Sequence, residues 1–104
     1  MKVAFGSDHA GFELKQHLAE TAHSLGHEVV DFGTYSEESV DYPDVAEPVA
    51  RAVVDGETDL GVVICSNGVG VSITANKVAG ARCALCHTSW GAARARQHTN
   101  ANVL

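Results

Sequence analysis

Cys65 ends the most apolar run of the chain, Leu60–Cys65 (LGVVIC), and Ser66-Asn67-Gly68-Val69-Gly70 follows it at once. Gly68 and Gly70 let successive backbone N–H groups converge into an anion-holding nest at the start of a helix. A tight strand-to-helix turn uses glycine in the same way, so Gly-x-Gly alone does not separate the two roles. The thiol sharpens the reading. A helix N-terminus favours a nearby thiolate, which can act as a base or a nucleophile. The competing reading is a buried strand cysteine with no chemistry.

Two further polar sets follow the same logic. Asp8 and His9 come directly after the apolar run Lys2–Phe5 and Gly6-Ser7. A helix-capping aspartate explains Asp8 and leaves His9 unexplained. Arg96-Gln97-His98-Thr99-Asn100 closes a helical stretch, where His98 is either a cap favoured by the helix dipole or an acid–base group near neutral pH. All three sets are expected at the C-terminal strand ends of a parallel sheet, where ligands bind. Charge supports an anionic ligand. All 13 acidic residues lie at or before Asp59, so the first 59 residues carry −10 and the last 45 carry +4. With no carboxylate side chain from Leu60 onward, a general base in the second half must be Cys65, Cys83, Cys86, His87 or His98.

Cys83-Ala84-Leu85-Cys86-His87 matches the C-x-x-C-H pattern of c-type haem attachment. Its context opposes that reading, and a redox or zinc C-x-x-C as well. The residues fall in an apolar strand, where positions 83 and 86 face opposite sides, and the N-terminus shows no signal peptide. His17, His23 and His27 read as surface residues of the first helix.

The elements that must position these groups alternate. Strands are expected at Lys2–Phe5, Glu28–Phe32, Leu60–Cys65, Arg82–Cys86 and Ala101–Leu104. Helices are expected at about Gly11–Leu25, Val45–Val54, Val71–Val78 and Thr88–Gln97, with Phe12, Leu14, Leu18, Ala22 and Leu25 as the apolar set of the first and Pro48 in the first turn of the second. Thr34 to Asp44 reads as a polar loop. Apolar strands alternating with helices imply an α/β fold: a doubly wound, Rossmann-like three-layer sandwich with a mostly parallel sheet of about five strands. The 104 residues, 45% hydrophobic and 19% charged, suit one globular domain and exclude disorder, collagen and a disulfide scaffold. No apolar run approaches the ~20 residues of a membrane span, and the net charge of −6 argues against nucleic acid as a partner. Three cysteines, an odd count, fit reduced thiols in the cytoplasm.

Taken together, GSDHAG (6–11), DYPD (41–44), CSNGVGVSITANK (65–77) and RQHTNANVL (96–104) resemble ribose-5-phosphate isomerase type B, within the wider ribose/galactose sugar-phosphate isomerase family. The resemblance spans essentially the whole chain. It implies metal-independent, cofactor-free interconversion of ribose 5-phosphate and ribulose 5-phosphate in the non-oxidative pentose phosphate pathway. It assigns Cys65 as the base that moves a proton between C2 and C1 through a cis-enediolate, and His98 to furanose ring opening. It places Asp8 on sugar hydroxyls, His9 on the phosphate, Tyr42 along the sugar pocket and Asn100 near the hydroxyls. The backbone of Ser66, Asn67, Gly68, Val69 and Gly70 becomes the enediolate's anion hole. It also implies a homodimer or homotetramer with active sites shared between subunits. Two departures stand out. Asn67 carries an amide where the family commonly has a hydroxyl, and the family continues for about a third more chain on the scale of a domain, so residues 1–104 read as one domain lacking its C-terminal portion. Galactose-6-phosphate or allose-6-phosphate isomerisation is the nearest alternative, and a non-catalytic sugar-phosphate or nucleotide binding module the alternative of another class.

Overall fold

The computed structural model describes residues 1–104. Its sheet has three fully laddered parallel strands, β1 (Lys2–Ser7), β2 (Glu28–Asp31) and β3 (Leu60–Ile64), in the order β2-β1-β3. Val3 lies opposite both Val29 and Leu60, and Ser7 opposite Ile64. Central β1 is buried from Val3 to Ser7, as a strand covered on both faces must be. Beyond β3 the sheet continues through single parallel bridges, Gly61 to Val103 and Val103 to Cys83. Residues 101–104 pair with β3 through Gly61 N to Asn102 O (3.0 Å), Leu104 N to Gly61 O (2.9 Å) and Val63 N to Leu104 O (2.8 Å). The five expected strand positions are therefore present, the last two as bridges: Arg82–Cys86 is not a full strand, because it pairs only with that four-residue segment.

Four helices cover the sheet: α1 (Phe12–Ser24), α2 (Tyr42–Val54), α3 (Val69–Asn76) and α4 (Ser89–Thr99). Ala4, Gly6, Gly61 and Val63 face α2. A Cβ on Gly6 would meet Val49 Cγ2 at 2.7 Å, and one on Gly61 would meet Val49 Cγ1 at 2.7 Å, so α2 rests directly on the strand backbones. The core is Ala4, Ala46, Val49, Ala50, Val53, Val63, Val71, Ala75, Val78 and Val103, which joins β1, α2, β3 and α3. On the opposite face Gly11, just before α1, packs on Ile64, and α4 lies across a cavity of about 240 Å³ from Val3 and Val62. The result is the expected three-layer α/β sandwich.

Three local expectations change. α2 begins at Tyr42, so Pro43 occupies its first turn and Pro48 lies inside it. The missing N–H of Pro43 is harmless there, which lets the helix start inside the stretch that reads as loop. α3 starts at Val69 because Gly68 takes the left-handed backbone (φ 79°) that ends the preceding turn. On α1 the apolar set does not form the buried face: Leu14 and Leu25 are 51% and 72% exposed, and the buried side chain is Lys15.

Candidate active site

The C-terminal ends of β1 and β3 are tied together before any site residue appears. Asp8 N donates to Ile64 O at 3.1 Å, fixing the residue after β1 against the residue before Cys65. Asp8 then caps the turn into α1, its Oδ1 accepting from Ala10 N (3.0 Å) and Gly11 N (3.1 Å). His9 Nδ1 accepts from Val40 N at 3.2 Å, so in the neutral ring the proton sits on Nε2.

At the end of β3, Cys65 Sγ accepts the Gly68 N–H at 3.2 Å. Asn67 Oδ1 accepts from Val69 N at 3.0 Å and lies 4.0 Å from the sulfur. These bonds redistribute the expected anion hole. The amides of Gly68 and Val69 are engaged within the loop, whereas those of Ser66, Asn67, Gly70 and Val71 donate to no group of the chain. Val71 was not foreseen, because only the observed helix start shows that its N–H belongs to the unpaired first turn. Tyr42, the first residue of α2, lies over this turn. A Cβ on Gly70 would stand 2.8 Å from its Cε1, so the glycine is what admits the ring.

Cys65, Ser66, Asn67 and Gly68 line a cavity of about 250 Å³ whose far wall includes Leu85, Cys86 and His87. Asp8, His9 and Tyr42 lie outside it. Cys83 and Cys86 both line it, contrary to the opposite-side expectation, because Arg82–Cys86 does not hold a regular strand alternation. All three thiols are free. Burial, and then the neighbouring Cys86, push the Cys83 thiol from 9.0 up to about 11. Its backbone is clamped by Asn76, whose side chain accepts from Cys83 N (2.8 Å) and donates to Cys83 O (2.9 Å).

His98 and Asn100 are not at this edge of the sheet. They end α4, and a helix that leads into a parallel strand ends where that strand begins. Asn100 O accepts from Arg82 Nε at 2.8 Å, and Asn102 Oδ1 from Arg82 N at 2.7 Å, at the start of the last two strand positions. The expectation that Arg96–Asn100 joins Asp8 and Cys65 within one chain is therefore corrected. His98 instead borders an open depression of about 600 Å³ with Leu85, Cys86, Trp90 and Arg94. Arg94 Nη1 lies 3.0 Å from His98 Nε2 and its guanidinium 5.3 Å from the Trp90 ring. Arginine only donates, so Nε2 accepts and the ring carries its proton on Nδ1.

A family model described as Ribose/Galactose Isomerase matches residues 3–104. The chain belongs to the ribose/galactose isomerase family. It is similar to ribose-5-phosphate isomerase B of Escherichia coli K12, 50% identical over 103 residues, which cover 99% of this chain and 69% of that protein. It superposes on the solved ribose-5-phosphate isomerase B of Clostridium thermocellum with a TM-score of 0.99 at 52% identity, covering 100% of this chain and 70% of that one. The Mycoplasma genitalium ribose-5-phosphate isomerase B, solved with bound ribulose 5-phosphate, matches with a TM-score of 0.93 at 45% identity, covering 99% of this chain and 69% of that one. The two solved isomerases thus share the backbone fold described above over essentially all of this chain. No helix of the chain is long and apolar enough to cross a membrane.

Proposed function

We propose that the chain is a ribose-5-phosphate isomerase that interconverts ribose 5-phosphate and ribulose 5-phosphate through a cis-enediolate, in the cytoplasm and within the non-oxidative pentose phosphate pathway. The observation that carries this reading is the Cys65 sulfur at the open end of β3, beside a turn with unengaged amides. Cys65 as thiolate removes the C2 proton of the open-chain aldose and returns it to C1, while the O2 hydroxyl proton passes to O1, so that the carbonyl moves from C1 to C2. The enediolate oxygen gains charge as the proton leaves, and the N–H groups of Ser66, Asn67 and Gly70, which donate to no group of the chain, are free to receive it. No metal enters these steps.

Substrate contacts follow from which atoms are free. Both N–H donors to Asp8 use Oδ1, which leaves Oδ2 for sugar hydroxyls. The Val40 bond on His9 Nδ1 leaves the Nε2–H to donate to a phosphate oxygen. Tyr42 walls the sugar pocket. Ring opening needs an acid–base group, and His98 offers an Nδ1–H because Arg94 engages Nε2. Since His98 and Asn100 do not line the Cys65 cavity of their own chain, they act on substrate held at Cys65 of a second copy. The working unit is therefore a homodimer, or a homotetramer built from such pairs.

The test is turnover of ribose 5-phosphate with EDTA present, with galactose 6-phosphate run in parallel. Cys65→Ser is expected to lower kcat by about 10²-fold or more while substrate still binds. Unchanged turnover in Cys65→Ser, or activity that requires added metal, would overturn the mechanism. Saturable binding without turnover would leave a binding module.

A further inference from the structure

Lys15 is the fully buried side chain of α1, and the chemistry above does not use it. Its Nζ donates to Asp31 Oδ1 at 2.7 Å and to the Thr34 carbonyl. The rings of Tyr35 and Phe12 stand 5.2 and 5.6 Å from it. The same Asp31 oxygen accepts from Gly33 N at 2.8 Å. Gly33 and Thr34 in turn bracket the residue before Asp8: Ser7 N donates to Gly33 O and Thr34 N to Ser7 O, each at 2.7 Å. The segment that starts at this clamp returns to the site six residues later, where Val40 N meets His9.

Stability alone does not account for a lysine here. Lys15 is wholly buried while its partner Asp31 is 38% exposed, so the pair gives up the cation's hydration for an attraction that solvent screens, and α1 leaves Leu14 exposed while burying the cation. What an apolar residue cannot do is hold a carbonyl and a carboxylate in fixed places. We propose that Lys15 is a positioning residue: it anchors the base of the 33–41 segment so that the Val40 N–H fixes the His9 imidazole for the substrate phosphate. The phosphate part rests on the isomerase reading above. The anchoring part does not.

The experiment uses Lys15→Met, which keeps the packing between Phe12 and Tyr35 but cannot donate. Because that change leaves Asp31 without its cation, Lys15→Met/Asp31→Asn is made as well, retaining an acceptor for Gly33 N without the charge. Two readouts are taken on the full chain: hydrogen exchange of the Val40 amide, and KM against kcat for ribose 5-phosphate. We expect Val40 exchange to speed up about tenfold, and KM to rise about tenfold with kcat within about threefold, the scale of one charge-assisted hydrogen bond lost. Cys65 alkylation by iodoacetamide should keep its native rate. Native Val40 exchange in the folded double variant overturns the proposal, as does a lowered melting temperature with KM unchanged. Faster Val40 exchange in a protein whose native form does not isomerise the sugar upholds the anchor and refutes the isomerase reading alone.

Discussion

Gly70→Ala separates the stability of the fold from the geometry of the site. Gly70 is the second residue of α3 and has no positive φ, so alanine suits its backbone and by helix propensity alone would stabilise by up to about 1 kcal/mol. The new methyl would stand 2.8, 2.9 and 3.0 Å from Cε1, Cζ and Cδ1 of Tyr42, and carbon contacts settle near ~3.5–4.0 Å, so the ring must move by about 1 Å. Tyr42 is already 42% exposed, so it can swing outward. Exposing a further ~40 Å² of ring would cost about 1 kcal/mol at ~25 cal/mol/Å². The two effects nearly cancel, and the melting temperature should stay within about 5 °C of wild type. The proposed sugar pocket has no such compensation: if Tyr42 walls it, a ring displaced by about 1 Å should lower kcat/KM about tenfold or more. Thermal melts and steady-state kinetics measure the two effects, and a Tyr42→Ala background isolates the cause. There Gly70→Ala should stabilise by about 0.5–1 kcal/mol, a reversal of coupling that only the ring contact predicts. Equal destabilisation in both backgrounds, or wild-type kcat/KM in the single variant, would refute the reasoning.

Three other outcomes follow. Gly68→Ala imposes a left-handed residue (φ 79°) and sets a methyl 2.5 Å from Leu85 Cδ1, so urea titration should show a loss of about 2 kcal/mol or more; an unchanged midpoint would contradict it. The Cys83 thiol, raised from 9.0 to about 11, keeps its proton when folded over a range where the unfolded chain has lost it. Its contribution to stability is complete below pH 9.0 and fades as pH rises towards about 11; urea midpoints across that range should fall less steeply in Cys83→Ala, and equal slopes would remove Cys83 as the cause. Cys65→Ser and His98→Asn copies, each inactive alone, should recover roughly a quarter of wild-type activity when unfolded and refolded together, since about half the dimers are mixed and each holds one intact site. No recovery would place His98 and Cys65 in the same chain.

Much of the scaffold was legible because its signals are local. LGVVIC reads as the most buried strand, Asp8 and Thr88 stand where helix starts are expected, and the structure has both accepting N–H bonds at the turns they begin. The misreadings mark where local signals stop. Tyr42-Pro43-Asp44 looked like loop because it closes a polar stretch, yet a proline in a first turn leaves the helix intact. Nothing local marks Lys15 for burial: its place depends on Asp31 and Thr34, which lie 16 and 19 residues away and reach it only once β2 is in place. The anion hole was read as a run of five backbones. Which amides remain free depends on the Gly68 and Val69 bonds, and those are set by the turn's three-dimensional path.

The placement of His98 is different, because topology alone could have supplied it. In a right-handed crossover the helix returns the chain to the starting edge of the sheet, so whatever ends α4 must lie at the strand N-termini, opposite Cys65. His98 lines no cavity in common with the sulfur of its own chain. The proposed two-fold dimer would supply His98 from the second copy. If His98 of one copy reaches Cys65 of the other, the symmetry operation brings the reverse pair together as well, so complete sites arise in twos and a separated chain has none. Activity per chain should then fall on dilution in step with dissociation, and activity per chain that is independent of concentration would refute the shared site.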